Sequence, residues 1–143
     1  MLHIKKIKPM FTSIVTTGKK YEEDMYDAHG LIECKKGDLK TYQTVVAVGP
    51  LVRDIKPGDM VMINVLNYAV KKYDPNSVKE DMGLNQTLGY KFNWVQVDDE
   101  DGVPQDCLFL SDRDILFAFE GEEVQGTKNP IIMPSKKKLI VGN

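Results

Sequence analysis

The chain is poor in the residues from which most catalytic and nucleic-acid sites are built. Its 143 residues include two histidines, His3 and His29, two cysteines, Cys34 and Cys107, one tryptophan, and two arginines, Arg53 and Arg113. A nucleic-acid face is usually rich in arginine. Here the basic clusters are short, Lys5-Lys6, Lys35-Lys36, Lys71-Lys72 and Lys136-Lys137-Lys138, and the net charge is −2, so no nucleic-acid partner is expected. The two cysteines are too far apart for metal-type spacing. Free thiols in a reducing compartment are the simplest reading, with a single disulfide left open. There is no Gly-x-Ser-x-Gly elbow and no glycine-rich phosphate loop with a lysine. His29 and Cys34 lie five residues apart, but a reactive thiol needs a rigid, partly buried setting. The run Asp98-Asp99-Glu100-Asp101-Gly102 lacks the alternating ligands and distal glutamate of a calcium loop and reads as a solvated turn. No apolar run approaches the ~18 residues of a membrane span, and Met1 to Lys6 is not followed by a signal-peptide core. A soluble, cytoplasmic protein without metal, cofactor or catalytic site is expected, and no membrane partner. Amphipathic helical periodicity is missing too, which leaves strands.

What is present is strand grammar. Ile14 to Thr17 is a β-branched run that stops at Gly18. Val45-Val46-Ala47-Val48 stops at Gly49-Pro50, and Lys56-Pro57-Gly58-Asp59 launches Met60-Val61-Met62-Ile63. Pro57 presets the second position of a type II turn, and Gly58 supplies the positive φ required next. Phe92 to Val97 and Cys107 to Leu110 flank the acidic turn as a hairpin with a longer loop. Ser111-Asp112-Arg113-Asp114 turns again into the strand Ile115 to Phe119. Tyr90, Phe92 and Trp94, at strand spacing, read as a core or interface face rather than a base-stacking platform.

Two stretches interrupt this pattern. Residues 19–41 are polar and aperiodic and read as a long loop, which in a compact domain signals function. Inside it sits one apolar island, Leu31-Ile32, preceded by Gly30. Two apolar residues among charges call for burial, either on the protein's own barrel or in a partner's groove. Residues 67–91, with the turn signal Asp74-Pro75-Asn76-Ser77 and room for one helical turn after Ser77, read as an excursion from the barrel. After Glu123, Ile131-Ile132-Met133 and Leu139-Ile140-Val141 suggest two short edge strands or an arm. The expected organisation is a small β-barrel domain over residues 1–123 and a C-terminal extension over 124–143.

In this order the motifs resemble the GroES-type co-chaperonins, the chaperonin-10 family. Lys8 to Val15 is similar to that family's opening strand. Val45 to Gly49 resembles its "VVAVG". Asp54-Ile55-Lys56-Pro57-Gly58-Asp59-Met60-Val61 resembles "D-V-K-x-G-D-x-V", and Cys107 to Glu120 resembles the closing segment with "DIL" at Asp114-Ile115-Leu116. Gly30-Leu31-Ile32-Glu33 falls at the mobile-loop signature, a glycine followed by three apolar residues. The resemblance implies an all-β, GroES-like barrel with a long mobile loop, forming a homo-oligomeric ring, sevenfold in the family. Such a ring would cap an ATP-driven, GroEL-type chaperonin through Leu31 and Ile32 as anchors and Gly30 as pivot. It would assist protein folding without being an enzyme.

The chain also departs from the family pattern. Glu33 stands at the third anchor position. Only Pro50-Leu51-Val52-Arg53 fills the place of the roof hairpin, as in phage-encoded co-chaperonins, whose site of action is the host cytoplasm. Residues 67–91 and the tail have no family counterpart. A second expectation is therefore a structural or capsid-decoration protein that reuses the barrel and makes its contacts through those additions.

Overall fold

A computed structural model describes residues 2–73 and 86–126. They belong to two compact units, one of Met1–Lys19 with Thr41–Glu120, the other of Lys20–Lys40 with Gly121–Asn143. Among the described residues the strands are β1 (Ser13–Thr17), β2 (Met25–Tyr26), β3 (Ile32–Cys34), β4 (Tyr42–Val48), β5 (Met60–Ile63), β6 (Ala69–Tyr73), β7 (Gln86–Tyr90), β8 (Trp94–Asp98), β9 (Pro104–Ser111) and β10 (Ile115–Phe119). Short 3₁₀ turns at Val65–Tyr68 and Asp112–Asp114 accompany them. The chain is thus all-β. Among the described residues no helix is long and apolar enough to cross a membrane.

The first unit is built on an antiparallel sheet in the order β10-β5-β4-β1-β9-β8. No closed barrel forms among the described residues, because β8 and β10 do not pair with each other. Ile4 instead forms a parallel bridge with Val97, and its carbonyl accepts from the Asp98 amide at 3.0 Å, so the N-terminal segment occupies the β8 edge.

β1 is central because both of its faces are apolar or β-branched. Ile14 and Val15 are fully buried on opposite sides of the sheet, as strand alternation requires. Ile14 packs with Val45 and Val61, and Val48, Val52, Ile55 and Ile115 close around them. Val15 packs with Val97 and Cys107 under Ile4, Ile7, Val46 and Phe109. β4 serves both clusters through a bulge. Val15 pairs with Ala47 but Thr16 pairs with Val45, so one extra residue lets Val45 join Ile14 while Val46 and Ala47 turn to the other face.

The turns follow local chemistry. Gly58 has φ +99°, and the Asp59 amide donates to the Lys56 carbonyl at 3.1 Å, closing the turn expected from Pro57-Gly58. The short Gly49–Arg53 connection folds back against Phe11, whose carbonyl accepts from the Leu51 amide at 3.0 Å. Val52 and Ile55 then cover the Ile14 cluster. Between β9 and β10, Ser111 and Asp114 form a capping box. Asp114 is buried and also accepts from Asn67 Nδ2 at 2.8 Å and from the Tyr68 hydroxyl at 2.5 Å. This carboxylate ties the β9–β10 turn to the start of the 67–91 excursion.

That excursion carries a two-stranded antiparallel ribbon, β6 with β7, in register from Ala69 opposite Tyr90 to Tyr73 opposite Gln86. The turn and single helical turn expected near Asp74–Glu80, and the strands or arm expected after Pro130, lie outside the described residues.

Candidate functional site

The 19–41 stretch contains regular structure that its polar sequence does not announce. β2 and β3 form a short hairpin, with Met25 opposite Cys34 and Tyr26 opposite Ile32. One step on β2 spans two on β3, which makes Glu33 the extra residue of a bulge. Glu33 therefore stands outside the ladder.

The hairpin tip is closed by Asp27. Its Oδ1 accepts from the His29 amide at 2.8 Å and the Leu31 amide at 3.0 Å, while its own amide donates to the Leu31 carbonyl at 2.9 Å. Asp side chains commonly fold a turn in this way. The Leu31 and His29 amide bonds hold the Asp27 carboxyl below its usual value. Gly30 has φ +83°, a conformation that costs glycine nothing. Ordering these amides leaves Leu31 and Ile32 outside: Leu31 is 66% and Ile32 50% exposed. Gly30, Leu31 and Ile32 thus sit together at one tip, and the apolar pair does not find its cover in the described structure.

The hairpin's base and flank are tied by charge and hydrogen bonds. The Tyr21 amide donates to the Asp38 carbonyl and the Gly37 amide to the Tyr21 carbonyl, at 2.9 and 2.8 Å. The Lys36 amide donates to Asp24 Oδ1 at 2.8 Å. Lys40 Nζ lies 2.9 Å from Glu123 Oε1 and over the Tyr21 ring. In the first unit, Gln43 marks where β1 ends. It is buried on β4, its Oε1 accepting from the Lys19 amide and its Nε2 donating to the Lys19 carbonyl, both at 2.9 Å. Thr17 Oγ1 donates to the same Oε1 at 2.9 Å. Neither Gln43 nor Asp27 stood out in the sequence. The one signal for Gln43 was an amide side chain at a buried parity of a β-branched strand.

The remaining candidates resolve into structural roles. Asp99 folds the acidic turn on itself, its Oδ1 accepting from the Asp101 and Val103 amides at 2.9 Å each. No group of three or more His, Cys, Asp or Glu is placed to hold a metal among the described residues. Phe92 stacks between Tyr68 and Tyr90, with centroids 4.9 and 6.3 Å away, whereas Trp94 covers Gly18. Cys34 and Cys107 are both free thiols. Burial, aided by Asp106, pushes the Cys107 thiol up. An open cleft of about 470 Å³ lies beside β10, lined in part by Leu51, Ile55, Ile115 and Phe117.

Fold and tip together define a small antiparallel β protein that displays an apolar hairpin tip. No protein-family profile matches the chain, and no curated protein is similar enough to count as a match.

Proposed function

We propose that this protein is a co-chaperonin subunit, a divergent GroES-like barrel that assembles into a ring and caps a GroEL-type chaperonin. One observation carries the reading. Leu31 and Ile32 are exposed side by side on a turn that Asp27 and Gly30 hold open. Leaving these two aliphatic side chains half or more exposed forgoes a large part of the about 1.5–3 kcal/mol that full burial of each supplies, a loss that burial in a partner's apolar groove offsets. A single tip of this size binds weakly, and presenting one per subunit around a ring raises avidity without a new contact type. The subunit itself holds no nucleotide, and hydrolysis belongs to the partner. The all-β fold, the short Gly49–Arg53 connection in place of a roof hairpin and the motif order support the same reading. Leu31→Asp tests it by co-sedimentation with a purified GroEL-type ring. The parent is expected to bind and the variant to lose binding at least tenfold with its unfolding midpoint unchanged. Equal binding by both would refute the assignment of the tip.

A second reading, a structural or decoration protein of a viral particle, is favoured by apolar exposure outside the tip. Leu116 and Phe117 are exposed on β10, which ends the sheet beside the 470 Å³ cleft. Native mass spectrometry separates the two: a soluble heptamer supports the ring, a monomer or trimer the decoration protein.

A further inference from the structure

We propose that Gln125 and Gly126 are positioning residues for the Leu31–Ile32 tip, acting as a strap along the outer edge of β2. In the hairpin, the Asp27 amide donates to the Leu31 carbonyl and the Leu31 amide to Asp27 Oδ1, and the Tyr26 amide and carbonyl find their partners in the strap. The Tyr26 amide donates to Gln125 Oε1 at 2.8 Å, and the Tyr26 carbonyl accepts from the Gly126 amide at 2.9 Å. Gln125 therefore mimics with its side chain the acceptor that a neighbouring strand would supply, and Gly126 supplies the donor.

The other end of the same amide locks the strap. Gln125 Nε2 donates to the Asp24 carbonyl at 3.0 Å and to Glu23 Oε1 at 3.2 Å, and touches Met25 Sδ at 3.6 Å. One side chain thus engages four consecutive residues, Glu23 to Tyr26, of the segment entering the tip. Gly126 is required by space. A Cβ there would stand 2.1 Å from the Asp27 carbonyl oxygen and 2.2 Å from that of Tyr26, both backbone atoms. The strap reaches Asp27, the residue whose carboxylate shapes the turn that presents Leu31. Two residues 93 or more positions along the chain from the tip thereby reduce the ordering entropy that a free two-stranded hairpin would lose on docking. An isolated hairpin of this length is marginal in water, and pre-ordering a binding segment raises its affinity mainly by removing that loss.

The first part of this inference, that the strap orders the hairpin, is independent of function. The second, that it thereby sets docking strength, rests on the co-chaperonin reading. The test uses the full chain with Gln125→Ala and Gly126→Val, read by amide hydrogen exchange and by binding to a purified GroEL-type ring. Exchange is expected to quicken by about tenfold in peptides covering residues 21–34, since each lost hydrogen bond is worth roughly that factor. Sheet peptides covering β1, β4 and β9 stay as protected as in the parent, which separates positioning from general destabilisation. Ring binding is expected to weaken about tenfold in step. Unchanged exchange in residues 21–34 would overturn the strap. Faster exchange with unchanged ring binding would overturn its role in docking. A parent chain that binds no ring would overturn the co-chaperonin reading, and exchange alone would then judge the strap.

Discussion

Gly49→Ala and Gly58→Ala place the same methyl group in two turns whose glycines exist for different reasons. At Gly49 the reason is space. An added Cβ would lie 2.2 Å from the Phe11 carbonyl oxygen, 2.8 Å from its carbonyl carbon and 2.9 Å from the Met10 oxygen. All three are backbone atoms, so no side chain can swing aside. Regaining ordinary contact requires a backbone displacement of about 1 Å. That displacement strikes two hydrogen bonds, from the Gly49 amide to the Ser13 carbonyl at 2.8 Å and from the Leu51 amide to the Phe11 carbonyl at 3.0 Å. At about 1 kcal/mol per bond, with overpacking adding about 1–3 kcal/mol, the substitution should cost roughly 3–5 kcal/mol. At Gly58 nothing lies within 4 Å of the added atom, and only the φ of +99° resists it. A left-handed alanine costs about 1–2 kcal/mol. Urea unfolding followed by tryptophan fluorescence resolves the difference. With a slope of about 1.5 kcal/mol per molar, the midpoint should fall by roughly 2–3 M for Gly49→Ala and about 1 M for Gly58→Ala. A Gly49→Ala loss no greater than that of Gly58→Ala would refute close backbone approach as the reason for glycine at 49.

Three further outcomes follow from the buried and capping groups. Burial, and then its bond to Asp114, raises the Tyr68 hydroxyl above its ordinary value of 10.0. The folded state therefore keeps that proton where the unfolded chain gives it up, so this contribution is complete below pH 10 and is lost as pH rises beyond it. Tyr68→Phe should flatten the fall of unfolding free energy measured between about pH 9.5 and 11, and an unchanged slope would refute the assignment. Asp27 is depressed below 3.8, so its hold on the tip is complete above that pH and fades as pH falls through the lowered value. Asp27→Ala should free the His29 and Leu31 amides, seen as faster exchange at pH 7, with the unfolding midpoint of the sheet unmoved. Finally, Cys107 is fully buried with a raised pKa and Cys34 half-buried. A thiol reagent should label Cys34 at least tenfold faster than Cys107 in the native protein, and comparable rates would contradict the placement of Cys107 in the Val15 cluster.

Read alone, the sequence determined the strands whose identity is local. Apolar or alternating runs around Ile14, Val45, Met60, Val95, Leu108 and Ile115 each formed strands, because alternation and chain-breaking glycines act within a few residues. It also determined the Lys56–Asp59 turn, since Pro57 and Gly58 carry their own backbone preferences. Gly30, Leu31 and Ile32 were legible as an apolar island for the same reason. Long-range pairing decided the rest. The β2–β3 hairpin was hidden in a polar run because the groups that complete it, Gln125, Gly126 and Glu123, lie about a hundred residues away. The bridge that sets Ile4 on the β8 edge joins segments far apart in sequence, and the joining of Tyr68, Asn67 and Ser111 depended on one buried carboxylate, Asp114. A periodicity records which face of a strand turns inward, but not which distant segment satisfies its edge. Each backbone edge needs a hydrogen-bonding partner, and only the tertiary structure chose it.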